Sequence, residues 1–139
     1  MSNMLELALS IATEAHVGQY DLAGAPYIEH PKHVASVVET EDEKVVALLH
    51  DVLEDTSVTE DELRCMFPAL VVDAVVLLTK GESLGDYIEK IKSNPLARAV
   101  KIADLRHNMD IGRIPNPTEH DERRLRKYAA ELQRLISEE

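Results

Sequence analysis

The sequence predicts an all-α fold, a single-domain helical bundle over residues 1–139, on three observations. Apolar residues return every three or four positions along most of the chain. No stretch alternates apolar with polar residues as a half-buried strand does. The composition is 45% hydrophobic with one Phe, four Tyr and no Trp, so the core must be aliphatic, which favours helix packed on helix. A length of 139 residues is enough to bury such a core in one domain.

The elements follow in order. Leu5, Ala8, Ile11, Ala12 and Ala15 give a first amphipathic helix ending near His16. Gly18, Gly24 and Pro26 mark Gly18–His30 as an ordered loop. Pro31 fits the first turn of a second helix, with Val34, Val37 and Val38 on its buried side. Glu41, Asp42 and Glu43 suit the start of a third helix, predicted to run through Val45, Val46, Leu48, Leu49, Val52 and Leu53. Thr59 and Glu62 form a capping-box pattern for a short helix ending before Pro68. Ala69–Leu78 is apolar almost all round; its β-branched residues allow a strand, but the helical context favours a buried helix closed by Gly81. Further helices are expected at Leu84–Ser93, Pro95–Met109 and from Thr118 to near the C-terminus.

A net charge of −11, from 26 acidic and 15 basic residues, argues against bulk nucleic acid or an anionic membrane as partner. The single Cys65 excludes an intrachain disulfide framework and fits a reducing compartment. The start lacks a basic region and carries Glu6 within its apolar run, unlike a signal peptide, so a cytoplasmic location is expected. The charge is uneven. Residues 39–62 hold ten acids and one base, whereas residues 80–113 hold seven bases and five acids.

Most of that acidic run is solvated helix end and loop. His50, Asp51, Glu54 and Asp55 are different, because they interrupt an apolar helix where it is most buried. On a continuous helix Glu54 lies one turn from both His50 and Asp51, so the three can share an edge. Burying anionic groups together is costly unless a cation neutralises them. Taken alone, a His-Asp pair facing solvent is the blander account. Two further residues weigh against it: Asp104, a carboxylate within the apolar Val100–Leu105 stretch, and His30, which ends the Gly-containing loop. His30, His50, Asp51 and Asp104 make an N₂O₂ set that, completed by water, suits Mn²⁺, Fe²⁺ or another divalent first-row ion.

Four stretches then carry a family resemblance: Ala15–Gln19, Gly24–Pro31, Ala47–Thr56 and Val100–Met109, with Leu78–Lys80 a weaker fifth. In order and content they resemble the HD superfamily of metal-dependent phosphohydrolases. The likeness is greatest to the hydrolase domain of RelA/SpoT-type alarmone enzymes and their single-domain relatives. That resemblance implies an HD-type bundle of about seven to eight helices. It implies that His30, His50, Asp51 and Asp104 hold one divalent ion, Mn²⁺ by preference. Glu54 and Asp55 match the pair that positions or deprotonates the attacking water, and Lys101 and Asn108 match residues on the substrate side. The implied reaction removes the 3′-pyrophosphate from ppGpp or pppGpp, so the implied partner is a small nucleotide. The physical logic agrees, because a divalent ion activates water and polarises a phosphoryl oxygen while a carboxylate handles the proton.

Two departures bear on the substrate. Alarmone hydrolases usually carry Arg after the Gly-Gln step, where this chain reads Tyr20-Asp21-Leu22. Asp110-Ile111 follows Asn108-Met109 where Arg-Thr is typical. Two alternatives therefore stand beside the first reading: an HD phosphohydrolase for another nucleotide or phosphoester, and a non-catalytic HD-fold regulatory module. The remaining candidates are assigned bland roles. His33 and His107 are expected at the surface, the latter because its side points about 100° from that of Asn108. His16 is expected to pack or anchor a loop, His120 to be solvated, Cys65 to be buried, Arg123–Lys127 to form a mostly solvated face, and Tyr87 and Tyr128 to serve helix packing.

Overall fold

The computed structural model describes residues 3–21, 23–79, 84–110, 114 and 116–137, with residues 84–86 described by backbone alone. It is all-α. The described residues form nine helices: α1 Asn3–Ala15, α2 Glu29–Val37, α3 Glu41–Leu49, α4 Val52–Asp55, α5 Glu60–Met66, α6 Ala69–Leu78, α7 Leu84–Lys92, α8 Pro95–Asn108 and α9 Glu119–Ile136. They contain no strand. The Tyr20–Pro26 pair makes an isolated β-bridge within the loop after α1.

Local chemistry sets the boundaries. Thr40, Thr59 and Thr118 each accept from the N3 backbone N–H while the N3 carboxylate accepts from the cap residue, a full capping box at α3, α5 and α9. Asn94 caps α8 ahead of Pro95 in its first turn. Lys44 Nζ donates to the carbonyls of Ala35 and Val38, at 3.0 and 2.9 Å, and so fastens the end of α2 to α3. The expected closure of α6 by Gly81 lies outside the described residues.

α3 is the centre of the bundle. Val45, Val46, Ala47, Leu48 and Leu49 are all buried, and the helix packs against α1, α2, α6 and α8. Each buried Val and Leu contributes on the order of 1.5–3 kcal/mol by leaving water. α8 lies against α2, α3, α6, α7 and α9. Its middle is therefore covered on several sides, and Lys101 and Asp104 are buried with the apolar residues.

Three expectations require correction. The predicted third helix is two helices, because the chain leaves helical geometry at Asp51 (φ −107°, ψ −2°). Val37 is 55% exposed rather than buried; α2 turns its Val34 and Ala35 to the core and Val37 falls on the outer side. Cys65 is exposed, since Leu63 and Phe67 take the inner face of that segment.

Candidate metal centre and its surrounding pocket

The loop between α1 and α2 delivers the first site residues. Gly18 and Gly24 adopt φ of +84° and +89°, which L side chains resist. Asp21 Oδ1 accepts the N–H groups of Ala23 and Ala25, both at 2.9 Å, and its own N–H donates to Ala25. Tyr27 N–H donates to Gln19 at 2.8 Å. The turn then passes into α2, with Tyr27 and His30 facing inward.

The second contribution comes from the break after α3. His50 caps that helix, and its Nδ1 lies in hydrogen-bond contact with the Ala47 carbonyl. A carbonyl can only accept, so Nδ1 carries a proton, and in the neutral ring Nε2 holds a lone pair. The third contribution is one face of α8, where Lys101, Asp104, His107 and Asn108 follow at three- and four-residue spacing.

These elements bring all four expected ligands together. Donor atoms of His30, His50 and Asp51 lie within 4.8 Å of one another. Asp104 Oδ1 stands 2.7 Å from His30 Nε2 and 3.4 Å from His50 Nε2, while Asp51 Oδ2 is 3.1 Å from His50 Nε2. The contacts of His50 Nε2 lack hydrogen-bond geometry, and this nitrogen, on a residue 3% exposed, has no hydrogen-bond partner among the described residues. A buried ring nitrogen facing two carboxylates needs positive charge between them, a proton or a metal cation. The donor set therefore fits a divalent ion. Two imidazoles and two carboxylates are a borderline-hard set suited to first-row metals.

The electrostatics show the same balance. Burial would lower the His50 pKa, but the adjacent Asp51 and Asp104 outweigh it and raise it well above the ordinary imidazole value. Burial would raise Asp51, yet the His50 ring holds it down at about 2. Burial likewise opposes ionisation of Asp104, and its contact with His30, the nearby His50 ring and the Lys101 charge hold it well below the carboxylate range. Burial, then Asp51, raise the Tyr27 phenol far above its usual value, so Tyr27 stays neutral and donates to Asp51 Oδ2. Asp104 also accepts from Lys101 Nζ at 3.1 Å and from Asn108 Nδ2 at 3.2 Å. The residues expected on the substrate side thus brace an expected ligand as well.

A cavity of about 130 Å³ opens onto this cluster; His50, Asp51, Asp104, Glu54, Lys101 and Asn108 are in its wall. Asp55 is not. It is exposed at the end of α4, where its carbonyl accepts Gln19 Nε2 at 3.0 Å. The break at His50–Asp51 separates Asp55 from the edge that a continuous helix would give it. A second cavity of about 330 Å³ shares Tyr27, Asn108 and Tyr128 with the first and is walled also by Tyr20, Asp21 and Arg124. Tyr87 lines the smaller cavity, with Lys101 Nζ 5.6 Å from its ring centre.

Two features escaped the sequence reading. His107 is half-buried rather than simply exposed: its Nδ1 lies 2.7 Å from Nδ1 of His30. Tyr27 received no individual role. The signal for His107 was its place three residues after Asp104, as close along a helix as Asn108 at four. His16 anchors the loop, as expected. It is buried and meets Gln19 Oε1 through Nδ1 at 2.9 Å.

The sequence profile of the HD domain family matches residues 8–112. The chain belongs to the HD domain family. Among its relatives, the guanosine-3′,5′-bis(diphosphate) 3′-pyrophosphohydrolase of Haemophilus influenzae is 38% identical over 116 residues, 71% of this chain and 17% of that one. The guanosine-3′,5′-bis(diphosphate) 3′-pyrophosphohydrolase MESH1 of Mus musculus is 37% identical over 122 residues, 78% of this chain and 68% of that one. The chain therefore spans about a sixth of the length of the bacterial relative and about two thirds of the mouse one. A solved structure of a metazoan ortholog of SpoT, reported to hydrolyse ppGpp, superposes with a TM-score of 0.82 at 22% identity, over 99% of this chain and 88% of that one. At that identity the likeness establishes the HD fold. No helix among the described residues is long and apolar enough to cross a membrane.

Proposed function

We propose that residues 1–139 form one cytoplasmic hydrolase domain that removes the 3′-pyrophosphate of (p)ppGpp or a closely related nucleotide. The observation that carries this reading is the buried, unpartnered Nε2 of His50 set among His30, Asp51 and Asp104, in a chain whose relatives bear that activity in their names. His30, His50, Asp51 and Asp104 would hold the ion, and Mn²⁺ is the expected one. Such an ion lowers the pKa of water and polarises the phosphoryl oxygen it touches.

The chain's own residues supply the rest. Glu54 is the carboxylate in the cavity wall without a place in the ligand set, and it takes the proton of the attacking water. The water oxygen bonds to the phosphorus attached at O3′, the P–O3′ bond breaks, O3′ takes up a proton, and pyrophosphate leaves. Asp55 orders the end of α4 beside Glu54. Lys101, whose charge burial opposes and Asp104 preserves, is a fixed cation for substrate phosphate. Asn108 offers an amide where the two cavities meet, and the larger one receives the nucleoside.

A second reading keeps this chemistry for a different nucleotide. It rests on Asp21, which stands where the family usually has Arg and spends one carboxylate oxygen on closing the loop, and on Ile111, which lies outside the described residues. Incubation of the Mn²⁺-loaded protein with ppGpp tests the first reading through pyrophosphate release. No release, under conditions where a known hydrolase works, removes this substrate, and a nucleotide panel with the same protein then decides for or against the second reading.

A further inference from the structure

His30 has two ring nitrogens and both are engaged. Nε2 is 2.7 Å from Asp104 and Nδ1 is 2.7 Å from Nδ1 of His107. The two rings are 11° from coplanar with centroids 4.9 Å apart. With nitrogens 2.7 Å apart, those values describe rings meeting edge to edge in nearly one plane, the geometry of a straight N–H···N bond rather than a face-to-face stack. His33 covers the face of His107, at 4.0 Å between centroids and 19° between planes, which holds the ring in that plane. His107 and His33 line a separate cavity of about 270 Å³ that shares no residue with the metal cavity.

One proton lies between the two Nδ1 atoms, and its side decides what His30 can do. If His107 donates it, the neutral His30 carries its own proton on Nε2 and points an N–H at Asp104. If His30 donates it, His30 Nε2 has a free lone pair and His107 carries its proton on Nε2. Only the second arrangement lets His30 serve as a ligand.

We propose that His107 is the positioning residue of the ion site: with an ion in place it accepts the Nδ1 proton of His30 and so leaves His30 Nε2 as an unprotonated donor to the cavity. The proposal rests on the reading of His30 as an ion ligand. An imidazole suits the place because its Nδ1 can act as donor or acceptor. An Asn amide can do the same by turning over, whereas Phe keeps the ring against His33 and loses the bond.

The test is calorimetric titration of the chelator-stripped full chain with Mn²⁺, in wild type, His107→Phe and His107→Asn, with thermal melting of each ion-free protein alongside. Loss of an outer partner of a metal-bound His typically costs 10–100-fold in affinity. His107→Phe should lose that much with an unchanged melt, and His107→Asn should return to within a few-fold of wild type. Equal Mn²⁺ affinity in wild type and His107→Phe overturns the proposal, as does an Asn variant no better than the Phe one. A wild type that binds no Mn²⁺ overturns the ion reading itself and the proposal with it. Should His107→Phe not fold, long-range ¹H–¹⁵N spectra of the Zn²⁺-loaded wild type decide: His107 protonated at Nε2 alone supports the proposal, and His107 protonated at Nδ1 overturns it.

Discussion

Replacing Asp104 by Asn keeps the shape of the side chain and removes its charge. Asp104 is 6% exposed, accepts from Lys101 and Asn108, and lies 2.7 Å from His30 Nε2 and 3.4 Å from His50 Nε2. An amide has one acceptor end, so either Lys101 or the histidines must face an N–H₂ group. Lys101, 9% exposed, is left without its principal counter-charge. Breaking a buried ion pair from one side costs about 3–5 kcal/mol. Glu131 also acts on Lys101, more weakly than Asp104 does, which puts the expectation near the low end, about 3 kcal/mol. With a urea slope of about 2 kcal/mol per molar, the unfolding midpoint of the ion-free protein should fall by about 1.5 M at unchanged slope. Adding Lys101→Met should recover most of that loss, because it removes the orphaned charge. A loss below about 1 kcal/mol, or a double variant weaker than Asp104→Asn alone, would refute the account of Asp104 as the counter-charge of a desolvated Lys101.

Other expectations concern the ion, the chemistry and the scaffold. At about a hundred times its Kd, Mn²⁺ should stabilise the wild type by about 2.7 kcal/mol in thermal or urea unfolding, and His50→Ala should abolish the gain. Glu54→Gln should bind Mn²⁺ as wild type does while kcat falls about 10²–10⁴-fold; an unchanged kcat in steady-state assays removes Glu54 from proton transfer. Thr118→Ala opens the capping box of α9 and should cost about 1 kcal/mol in a melt, through loss of the Thr118–Asp121 exchange.

The helices were legible because their signals are local. The capping box at Thr59, Pro31 and Pro95 at helix starts, and the 3–4 period of α1 each act within a few residues. The split of α3 from α4 was not legible. Apolar periodicity continues across His50 and Asp51, and only tertiary neighbours show that the chain turns there to aim both side chains at α8. The four candidate ligands were readable as out-of-place polar residues. Their grouping was not, since the His30–Asp104 contact joins residues 74 apart. His107 was misplaced for a related reason. A helical wheel separates it from Asn108, but α8 packs against α2 on one side and α9 on another, so His107 meets α2 while Asn108 lines the cavity.

The tyrosines have a practical consequence. The chain has no Trp, and all four of its Tyr residues, at positions 20, 27, 87 and 128, stand in the walls of the two joined cavities. Near-ultraviolet absorbance, circular dichroism and intrinsic emission from this protein therefore originate almost wholly at the site. A test of ion or nucleotide binding can be read by light on the unlabelled chain, with no distant chromophore to dilute the signal.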